Sequence, residues 1–255
     1  MKITTWNVNG IRAAIQKGAF TWMQAQDIDV FCMQEVKARL DQLPDEARDI
    51  PGYLCYWNAA ERPGYSGVAI YSRISPLAVE FGLGDSRFDD EGRVIRMHFP
   101  GFVLFNIYFP NGQRGKERVD YKLDFYAALL EQCDRLHAAG EQIIITGDFN
   151  TAHREIDLAH PKANALTSGF LPEERAWIDH YLDHGFVDIF RELYPDRVQY
   201  TWWTFISNAR SRNVGWRLDY YLVSRSIADQ VQDVIVHDTI PGSDHCPVSL
   251  LLKND

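Results

Sequence analysis

Polar side chains recur where the apolar segments of this 255-residue chain end. Glu35, Tyr108 and Asp148 each stand at or directly after a short run rich in β-branched and aromatic residues, and His245 stands shortly before one. Carboxylates without cysteine partners favour a hard divalent cation, with Mg²⁺ first. Such a cation, together with amide, phenol and imidazole groups, suits the hydrolysis of a phosphate ester. The candidates that this pattern gives are Asn7, Asn9, Glu35, Tyr108, Asn111, Asp148, Asn150, Asp244 and His245.

One further carboxylate completes the pattern. A histidine can donate to a phosphate oxygen when another group holds its second ring nitrogen. Asp219 begins an apolar run and is the candidate partner for His245. Taken singly, Asp148 would fit a simple turn, Glu35 a solvated loop and His245 the protein interior. We favour a site because such polar endings occur in five places along one chain.

Ten short apolar runs are predicted to be strands, since they are too short for helices and rich in β-branched or aromatic residues. They are Ile3–Val8, Asp29–Met33, Tyr53–Trp57, Gly67–Tyr71, Val94–Phe99, Phe102–Phe109, Gln142–Thr146, Tyr200–Trp203, Leu218–Val223 and Val248–Leu252. Helical spacing predicts helices over Gly18–Gln26, Glu117–His137 and Glu173–Leu182. Several strands follow one another through short loops, which predicts antiparallel sheets covered by helices in an α/β sandwich. In an antiparallel sheet the start of one strand lies beside the end of its neighbour, so the polar groups can meet at one edge.

Nothing in the composition divides the chain. Pro and Gly are spread along it without a linker-like or low-complexity stretch, so we predict one domain spanning residues 1–255. The segments ITTWNVNG and IIITGDFN resemble each other weakly, but the match is too short to establish a repeat. A chain of this length can bury about three quarters of its unfolded surface, so a large core is available without cross-links.

Composition and motifs argue against several classes of protein. The four cysteines lie far apart without a Cys-x-x-Cys pair, which excludes a disulfide framework and a cysteine zinc site and fits a reducing compartment. No apolar run is long enough for a bilayer, and the first residues lack the apolar stretch of a signal peptide. We therefore expect no membrane attachment, no secretion and a cytoplasmic location. There is no P-loop and no Gly-x-Ser-x-Gly elbow, and the net charge of −9 argues against indiscriminate binding of polyanions.

Basic side chains alternate with aromatic ones in two segments. The first segment, after Asn111, holds Arg114, Lys116, Arg118 and Lys122, and the second holds Arg210, Arg212 and Arg217 near Trp202, Trp203 and Trp216. This combination suits phosphate contacts and base stacking on a nucleic acid. Two alternatives stay open: Arg118 and Lys122 would form a solvated helix face, and the tryptophans would belong to the core.

An ordered set of motifs runs nearly the whole length of the chain. It comprises WNVNGIRA at 6–13, QEVK at 34–37, GYSGVAIYS at 64–72, NIYFPNG at 106–112, GDFNTAHREIDLA at 147–159, SGFLPEERAWID at 168–179, NARSRNVGWRLDYYLVS at 208–224 and GSDHCP at 242–247. By these motifs the chain resembles the exonuclease III family of class II abasic-site endonucleases, within the endonuclease–exonuclease–phosphatase superfamily. Gly-Asp-x-Asn alone would be a weak signal, but the ordered set is highly specific.

The resemblance implies a four-layered α/β sandwich, in which two mostly antiparallel β-sheets pack face to face and are flanked by helices. It implies hydrolysis of the DNA backbone on the 5′ side of an abasic site, which leaves a 3′-hydroxyl and a 5′-deoxyribose phosphate. A 3′–5′ exonuclease and a 3′-end-cleaning activity accompany this reaction in many members. The implied cofactor is Mg²⁺, with Mn²⁺ as a substitute. The implied partner is duplex DNA with abasic sites or 3′ ends, and the implied state is a monomer, associated with the nucleoid in a prokaryote.

The resemblance also implies a role for each candidate residue. Glu35 matches the principal metal ligand, and the groups that can join the metal or its water shell are Asn7, Asp148, Asn150, Asp244 and His245. Asp148 matches the residue that positions and deprotonates the attacking water, with Asn150 as its companion. His245, oriented by Asp219, and Tyr108 match groups at the scissile phosphate. The implied DNA contacts are Asn9, Asn111, Arg114, Trp202, Asn213, Trp216 and Leu218.

Two positions depart from the family pattern. Asn9 stands where some members have Asp, which bears on its share in metal binding. Trp202, which with Trp216 and Leu218 matches the sugar pocket, stands where related enzymes have Phe. A larger ring would narrow that pocket and shift the balance toward work on 3′ ends.

Three alternatives stay open beside abasic-site incision. The first is an enzyme that acts mainly as a 3′–5′ exonuclease or 3′-phosphatase. The second is a phosphohydrolase of the same superfamily that acts on inositol phosphates or phospholipids, a group that tends to lack the NVGWRLDY segment found here at 213–220. The third is an inactive DNA-binding module, which would have lost at least one of the residues Glu35, Asp148, Asn150, Asp219 and His245, all of which are present.

Overall fold

A computed structural model describes residues 1–253, and this part of the chain forms twelve strands and seven α-helices. The strands are β1 (Lys2–Asn7), β2 (Val30–Gln34), β3 (Leu54–Asn58), β4 (Val68–Ser72), β5 (Ala78–Phe81), β6 (Val94–Phe99), β7 (Phe102–Tyr108), β8 (Ile143–Asp148), β9 (Phe186–Asp188), β10 (Asp219–Ser224), β11 (Val231–Val236) and β12 (Val248–Leu252). The helices are α1 (Ile11–Gln16), α2 (Ala19–Ala25), α3 (Asp45–Arg48), α4 (Ser86–Asp89), α5 (Lys116–Ala138), α6 (Pro172–Asp183) and α7 (Ile189–Leu193). Short 3₁₀ turns lie at Leu40–Gln42, Glu155–Asp157, Pro161–Asn164, Ile206–Asn208 and Arg225–Gln230.

The strands form two six-stranded sheets. Their order is β11-β12-β1-β2-β4-β3 in the first sheet and β9-β10-β8-β7-β6-β5 in the second. In the first sheet β1 and β2 are parallel, in the second β7 and β8 are parallel, and the other neighbouring strands are antiparallel. The prediction of two mostly antiparallel sheets is therefore confirmed.

Written in this order, the two sheets have the same plan. The equivalent strands β1 and β8 each lie third from one edge, between one parallel and one antiparallel neighbour. They contain the segments ITTWNVNG and IIITGDFN, so the weak internal likeness of the sequence falls on equivalent strands. They also pack against each other across the sheets. Their last residues, Asn7 and Asp148, consequently meet, and Nδ2 of Asn7 donates to Oδ2 of Asp148 at 2.8 Å.

Three apolar cores hold the layers together. The inner core lies between the sheets and contains Ile3 from β1 and Leu104 from β7. The next residue of β7, Phe105, faces the outer side and packs with Leu129 of α5, because successive side chains of a strand point to opposite faces. On the far side of the first sheet, α1 and α2 pack on β2 and β4. The arrangement is the four-layered α/β sandwich that the resemblance implied.

A hydrogen-bonded polar cluster crosses the inner core near the polar edge of the sheets. Nε2 of Gln34 in β2 donates to Oγ1 of Thr5 at 2.8 Å and to Oδ1 of Asn106 in β7 at 2.7 Å. Nδ2 of Asn106 donates in turn to the carbonyl of Ala69 in β4 at 2.9 Å. Because buried polar groups are costly without partners, this cluster favours one register of the two sheets beside Glu35.

The predicted helices are present as α2, α5 and α6, with each end within one residue of its expected position. The other four helices have six residues or fewer, which is too short for a periodic signal. None of the helices within residues 1–253 combines the length and apolar character needed to span a membrane.

One predicted strand is wrong and three strands were not predicted. The segment Tyr200–Trp203 is a loop in which Trp202 forms isolated bridges to Trp216 and His245, so its aromatic residues reflect packing at a cleft. The unpredicted strands are β5, β9 and β11, each of which lies at the edge of a sheet. Edge strands are often short or carry polar residues, as β9 and β11 illustrate, and they lack a continuous apolar run.

Candidate active site

Strand ends and a strand start carry polar residues to the same edge of the sandwich. In the second sheet, Tyr108 at the end of β7 pairs in register with Asp148 at the end of β8, which pairs with Asp219 at the start of β10. In the first sheet, Asn7 ends β1, and Glu35 directly follows β2. Because β7 and β8 are parallel and β10 is antiparallel to β8, these termini lie side by side.

Asp148 lies at the buried centre of this group. Its Oδ2 accepts from Nδ2 of Asn7, and its Oδ1 accepts from the backbone amide of Asn150, both at 2.8 Å. Nε2 of His245 lies 3.7 Å from Oδ2 of Asp148. Burial raises the pKa of Asp148; the charge of His245 opposes the rise, and neighbouring carboxylates add to it. A carboxylate with a raised pKa and fixed orientation is suited to take a proton from water.

His245 bridges the two buried carboxylates of the second sheet. Its Nδ1 donates to Oδ2 of Asp219 at 2.8 Å, and its Nε2 faces Asp148. Burial alone would lower the pKa of the imidazole, but the charges of Asp219 and Asp148 outweigh burial and raise it. The imidazole is therefore held as a cation, with Nδ1 occupied and Nε2 directed to the centre of the site.

Glu35 reaches the same centre from the first sheet. Its Oε1 accepts from Nδ2 of Asn7 at 2.8 Å, so that Asn7 links Glu35 to Asp148. Its Oε2 lies 2.7 Å from Nζ of Lys37, which also donates to Oδ1 of Asn9. The φ angle of Glu35 is +51°, in the left-handed region, and this conformation turns the chain sharply after β2.

The oxygen ligands that a hard divalent cation prefers are present around Glu35. Asp244 adds a carboxylate beside this group, where its Oδ1 accepts a hydrogen bond from Nδ2 of Asn9 at 2.9 Å. The ammonium group of Lys37 sits on the oxygens of Glu35 and Asn9, so this place already accommodates a positive charge. The donor set therefore fits a hard cation held mainly by Glu35.

A second acidic group consists of Asp148, Asp219 and His245, whose ligand atoms lie within 4.8 Å of one another. Here the imidazole already supplies a neutralising charge, and each of its nitrogens faces a carboxylate. A metal ion bound at Nε2 of His245 would displace the proton from that nitrogen, whereas the hydrogen bond between Nδ1 and Asp219 could stay in place. In this geometry His245 is placed to donate a hydrogen bond through Nε2, and the metal-ligand role that was also expected of it stays a prediction.

Asn150 and Asn111 extend the site on the side of the second sheet. Oδ1 of Asn150 accepts from Nδ2 of Asn111 at 3.1 Å, and Nδ2 of Asn150 donates to the carbonyl of Phe109 at 2.9 Å. Asn150 has a φ of +50°, a left-handed conformation that asparagine adopts more readily than most residues. Its backbone amide is the one that binds Asp148, so a single tight turn fixes both functional side chains.

Tyr108 is held by a residue that the sequence did not single out. Nη1 of the buried Arg93 donates to the carbonyl of Tyr108 at 2.8 Å, and its guanidinium lies over the Tyr108 ring, 4.7 Å from the centroid. Glu91 balances the charge of Arg93 through a 2.6 Å ion pair. Burial and the neighbouring carboxylate of Glu35 raise the pKa of Tyr108 well above its ordinary value, so the hydroxyl keeps its proton and can donate it.

A cavity of about 490 Å³ opens beside these groups. Its lining combines the polar residues Glu35, Asn111, Asn150, Asp244 and His245 with the apolar residues Trp202, Val214, Trp216 and Leu218. The rings of Trp202 and Trp216 meet edge to face, 6.4 Å apart, and Nε1 of Trp202 donates to Oδ2 of Asp244 at 3.0 Å. Gly169 packs so closely on Trp216 that a Cβ would lie 3.3 Å from the ring. Carboxylate, amide and imidazole groups therefore face the same space as an apolar recess, which is lined by Trp202, Trp216 and Leu218.

A second cavity, of about 500 Å³, shares Glu35, Asn111 and Gln113 with the first. Its basic lining residues are Lys37, Arg62, Arg93, Arg114 and Arg118, next to Tyr65 and Tyr108. Arg114 thus borders the site, and its contact with DNA stays a prediction. The sequence pattern did not single out Lys37, Arg62 or Tyr65, although Lys37 belongs to the motif QEVK and Tyr65 to the motif GYSGVAIYS.

Several basic and aromatic residues of the sequence pattern lie elsewhere. Lys122 is fully buried, so neither a DNA contact nor a solvated helix face describes it. Arg217 is also buried and binds both carboxylate oxygens of Asp188, and Trp203 belongs to a small core cluster. Asn213 is exposed; its Oδ1 accepts from Nε1 of Trp203 at 3.2 Å, and it lies outside the lining of both cavities.

Comparison with known proteins agrees with this geometry. The sequence matches the profile of the endonuclease/exonuclease/phosphatase family over residues 4–245. It is 42% identical to the exodeoxyribonuclease of Bacillus subtilis (strain 168) over 255 residues, which cover 99% of this chain and 100% of that protein. It is 44% identical to the DNA repair nuclease APEX1 of Danio rerio over 259 residues, which cover 99% of this chain and 82% of that protein.

A solved structure matches the whole fold. It is a variant of the 3′ phosphatase NExo from Neisseria bound to a product DNA hairpin, with a TM-score of 0.91, 31% identity and coverage of 100% of both chains. The profile match, the two full-length sequence relatives and this structural match agree with one another. The chain therefore belongs to the endonuclease/exonuclease/phosphatase family, whose members are metal-dependent phosphodiesterases.

Proposed function

We propose that the protein hydrolyses the backbone of duplex DNA on the 5′ side of abasic sites and leaves a 3′-hydroxyl and a 5′-deoxyribose phosphate. One observation carries this proposal: the His245 imidazole faces the same cavity as the apolar recess formed by Trp216 and Leu218. Phosphodiester hydrolysis needs the polar side of this cavity, and a sugar that has lost its base suits the apolar side.

The general class of reaction is supported by the family match and by the sequence relatives. The chain belongs to a family of metal-dependent phosphodiesterases. Its sequence relatives are named as an exodeoxyribonuclease and a DNA repair nuclease, which supports action on DNA. The choice among DNA substrates is the part that belongs to the proposal. The residues of this chain support it through three separate tasks: water activation, phosphate binding and recognition of the sugar.

Asp148 positions and deprotonates the attacking water. The side-chain amides of Asn7 and Asn150 donate to its Oδ2 at 2.8 and 3.3 Å, so the carboxylate is oriented before the substrate arrives. Burial keeps the pKa of Asp148 raised, which makes it a better proton acceptor than an exposed carboxylate. Asn150, on the same turn, stabilises the transition state through its amide.

His245 and Tyr108 act on the phosphate. With Nδ1 held by Asp219, the imidazolium offers its Nε2 proton to an oxygen on which charge grows in the transition state. The Tyr108 hydroxyl keeps its proton and donates to a second oxygen. Asn111 lines both cavities and contacts the neighbouring phosphate.

Mg²⁺ is the proposed cofactor, with Mn²⁺ as its substitute. Glu35 would be its main ligand, and Asn7 and Asp244 would complete its ligands or order its water shell, with Asp148 and Asn150 beside that shell. A bound Mg²⁺ supplies charge neutralisation and a template for the phosphate ester. Oxygen donors around a place that already holds the ammonium of Lys37 support this assignment.

Trp202, Trp216 and Leu218 form the recess that selects an abasic nucleotide. A flipped-out normal nucleotide carries a base that a small recess excludes, and its extrusion also costs more stacking and pairing energy. Asn9, Arg114 and Asn213 are proposed to contact the DNA backbone outside the recess. Asn9 and Arg114 both line the basic cavity that adjoins the site, and the positive charge of Arg114 suits a phosphate contact.

A second candidate activity is the removal of nucleotides or phosphate groups from 3′ ends. The indole of Trp202 is held in place by its hydrogen bond to Asp244 and its contact with Trp216, so the ring occupies part of the recess and leaves less room for a nucleotide. A 3′ terminus reaches the hydrolytic groups without extruding a nucleotide from a duplex. A narrow recess therefore hinders the reaction of a 3′ terminus less than it hinders the entry of an internal abasic nucleotide. The structural match to a 3′ phosphatase that holds a DNA product is consistent with this activity.

The working state and location are also proposals. We propose that a monomer acts on duplex DNA in the cytoplasm, at the nucleoid in a prokaryotic cell. The four cysteines are free thiols, three of them buried, which suits a reducing compartment.

One gel assay tests the proposed function. Equal amounts of enzyme are given a duplex with an internal abasic site, a duplex with a 3′-phosphate at a nick, and an undamaged recessed 3′ end. The proposal predicts the fastest turnover on the abasic duplex, with a 3′-hydroxyl product. Faster turnover on the 3′-phosphate, with little abasic incision, would establish the second candidate activity in its place.

A further inference from the structure

Lys122 is a buried charge that the proposed reaction does not use. It lies on α5, and its side chain is fully buried. Its Nζ donates to the backbone carbonyl of Asn150 and to Oε1 of Glu174, both at 2.7 Å. Short charged hydrogen bonds of this kind fix both partners in position.

Glu174, the partner of Lys122, holds a wall of the substrate cavity. Its Oε1 also accepts from Oγ of Ser168 at 2.9 Å, and its Oε2 accepts from the backbone amides of Gly169 and Leu171 at 2.5 and 3.1 Å. Ser168 and Gly169 line the 490 Å³ cavity, and Gly169 packs against the Trp216 ring. The carboxylate of Glu174 thus orders the loop that faces the apolar recess.

One ion pair therefore connects two parts of the site that are distant in sequence. Lys122 fixes the backbone of Asn150, whose φ of +50° is a conformation that needs support from its surroundings. Glu174 fixes the wall at Gly169, and the carbonyl of Gly169 accepts from the amide of Ala152 just beyond Asn150. The turn that carries Asn150 and the wall of the recess are consequently held as one rigid unit.

We infer that Lys122 and Glu174 are positioning residues, which set the Asn150 amide at a fixed place relative to the recess that receives the nucleotide. The inference rests on the proposed role of Asn150 as transition-state stabiliser. A buried ion pair contributes little net stability compared with well-packed apolar residues, so its advantage is fixed geometry. A small displacement of a group that acts in the transition state lowers turnover while substrate binding stays nearly constant.

The test replaces the pair by neutral side chains, so that no unpaired charge remains buried. In Lys122→Met/Glu174→Gln, the Gln side chain retains an acceptor for the loop, whereas Met donates nothing to Asn150. The matched control is Arg135→Met/Glu131→Gln, which removes an exposed ion pair from the other end of the same helix. We expect kcat on an abasic duplex to fall between about tenfold and a hundredfold in the test variant, with KM within about twofold, and no change in the control.

A second arm separates positioning from a general structural effect. Because the inference assigns the effect of the pair to the position of the Asn150 side chain, Lys122→Met/Glu174→Gln should cause no further loss of kcat in an Asn150→Ala background. An unchanged kcat in the folded variant, or an equal further loss in the Asn150→Ala background, would overturn the inference. Wild-type turnover by Asn150→Ala alone would instead contradict the proposed function.

Thermal melting shows whether the variant is folded. If Lys122→Met/Glu174→Gln melts well below the control, the same cycle is measured with Lys122→Gln/Glu174→Gln, whose two amides can pair with each other. A loss of kcat that disappears in the Asn150→Ala background is again the expected result. A loss that persists there overturns the inference.

Discussion

Nδ1 of His245 donates to Oδ2 of Asp219 at 2.8 Å in the interior of the protein. Asp219 lies directly opposite Asp148 in the neighbouring strand, so two buried carboxylates share one imidazole. Without the positive charge of His245, these carboxylates would repel each other at close range. The histidine therefore opposes the rise that burial causes in the pKa of Asp148, and at the same time directs its own Nε2 proton toward the centre of the site.

The first prediction concerns this pair. His245→Ala and Asp219→Asn should each lower kcat by on the order of a hundredfold, because both remove the same oriented positive charge. The double variant should lose little more than the worse single variant. Single-turnover incision of an abasic duplex measures all three. Losses that multiply would mean that Asp219 acts independently of His245, as a structural residue.

The second prediction concerns Glu35. Glu35→Gln should raise the Mg²⁺ concentration for half-maximal activity by at least about tenfold, because the main anionic ligand is lost. Calorimetric titration with Mn²⁺ should show the same weakening without any turnover. The thermal midpoint should change little, since Glu35 is partly exposed. Full wild-type activity in excess chelator would contradict a metal-dependent reaction at this residue.

The third prediction concerns substrate choice. Trp216→Ala enlarges the recess and should reduce the ratio of incision rates on abasic and intact duplexes, while a simple phosphodiester is still cleaved. Trp177→Ala is the control, because Trp177 is a half-buried tryptophan of α6 outside both cavities. Both rates are measured on variants that melt as the wild type does. An unchanged ratio would place the selective pocket elsewhere.

The fourth prediction concerns stability against acid. Asp157 is buried and accepts from Nε of Arg217 at 2.8 Å. Burial would raise the pKa of Asp157, but the guanidinium groups of Arg217 and Arg191 together with the backbone amide of Arg154 outweigh burial and lower it to about 2. Since this pKa lies below the value of about 3.9 in an unfolded chain, the stabilisation is complete above about pH 5 and is mostly lost as the pH falls to about 2.

The loss amounts to about 2 kcal/mol of unfolding free energy, which urea titrations at several pH values measure. Asp157→Asn should be less stable at pH 7 and should lose less of its remaining stability over the acid range. Asp183→Asn, at an exposed position of α6, is the control and should behave as the wild type. An acid dependence that is the same in wild type and Asp157→Asn would refute this assignment.

The polar edge of the sheets could be predicted because each polar residue lies next to the apolar run that positions it in the sequence. Apolar runs that end in Asn7, Glu35, Tyr108 and Asp148 are visible by eye, and antiparallel strands bring such endings together. The pairing of Asp219 with His245 could be expected because Asp219 lies at the start of one predicted strand and His245 shortly precedes another. The short edge strands and the loop around Trp202 could not, since their structure depends on partners far away in the chain.

The buried ion pair marks the limit of sequence reasoning. Lys122 shares the buried face of α5 with Val119, Tyr126 and Leu129, at spacings of three, four and seven residues, so helix periodicity indicates that it points inward. Its partner Glu174 is 52 residues away on another helix. Periodicity can show that a lysine is buried, but only the packing of α5 against α6 reveals which carboxylate neutralises it.

The most direct test of the account is the turnover of Asp148→Asn. This change preserves the size of the side chain and removes the proposed base, so single-turnover incision of an abasic duplex should fall by at least about a hundredfold. Binding of Mn²⁺ and of the abasic duplex should persist, because Glu35 and the recess are unchanged. Incision by a folded Asp148→Asn variant at a nearly wild-type rate, with normal metal binding, would contradict the assignment of Asp148 as the residue that activates water.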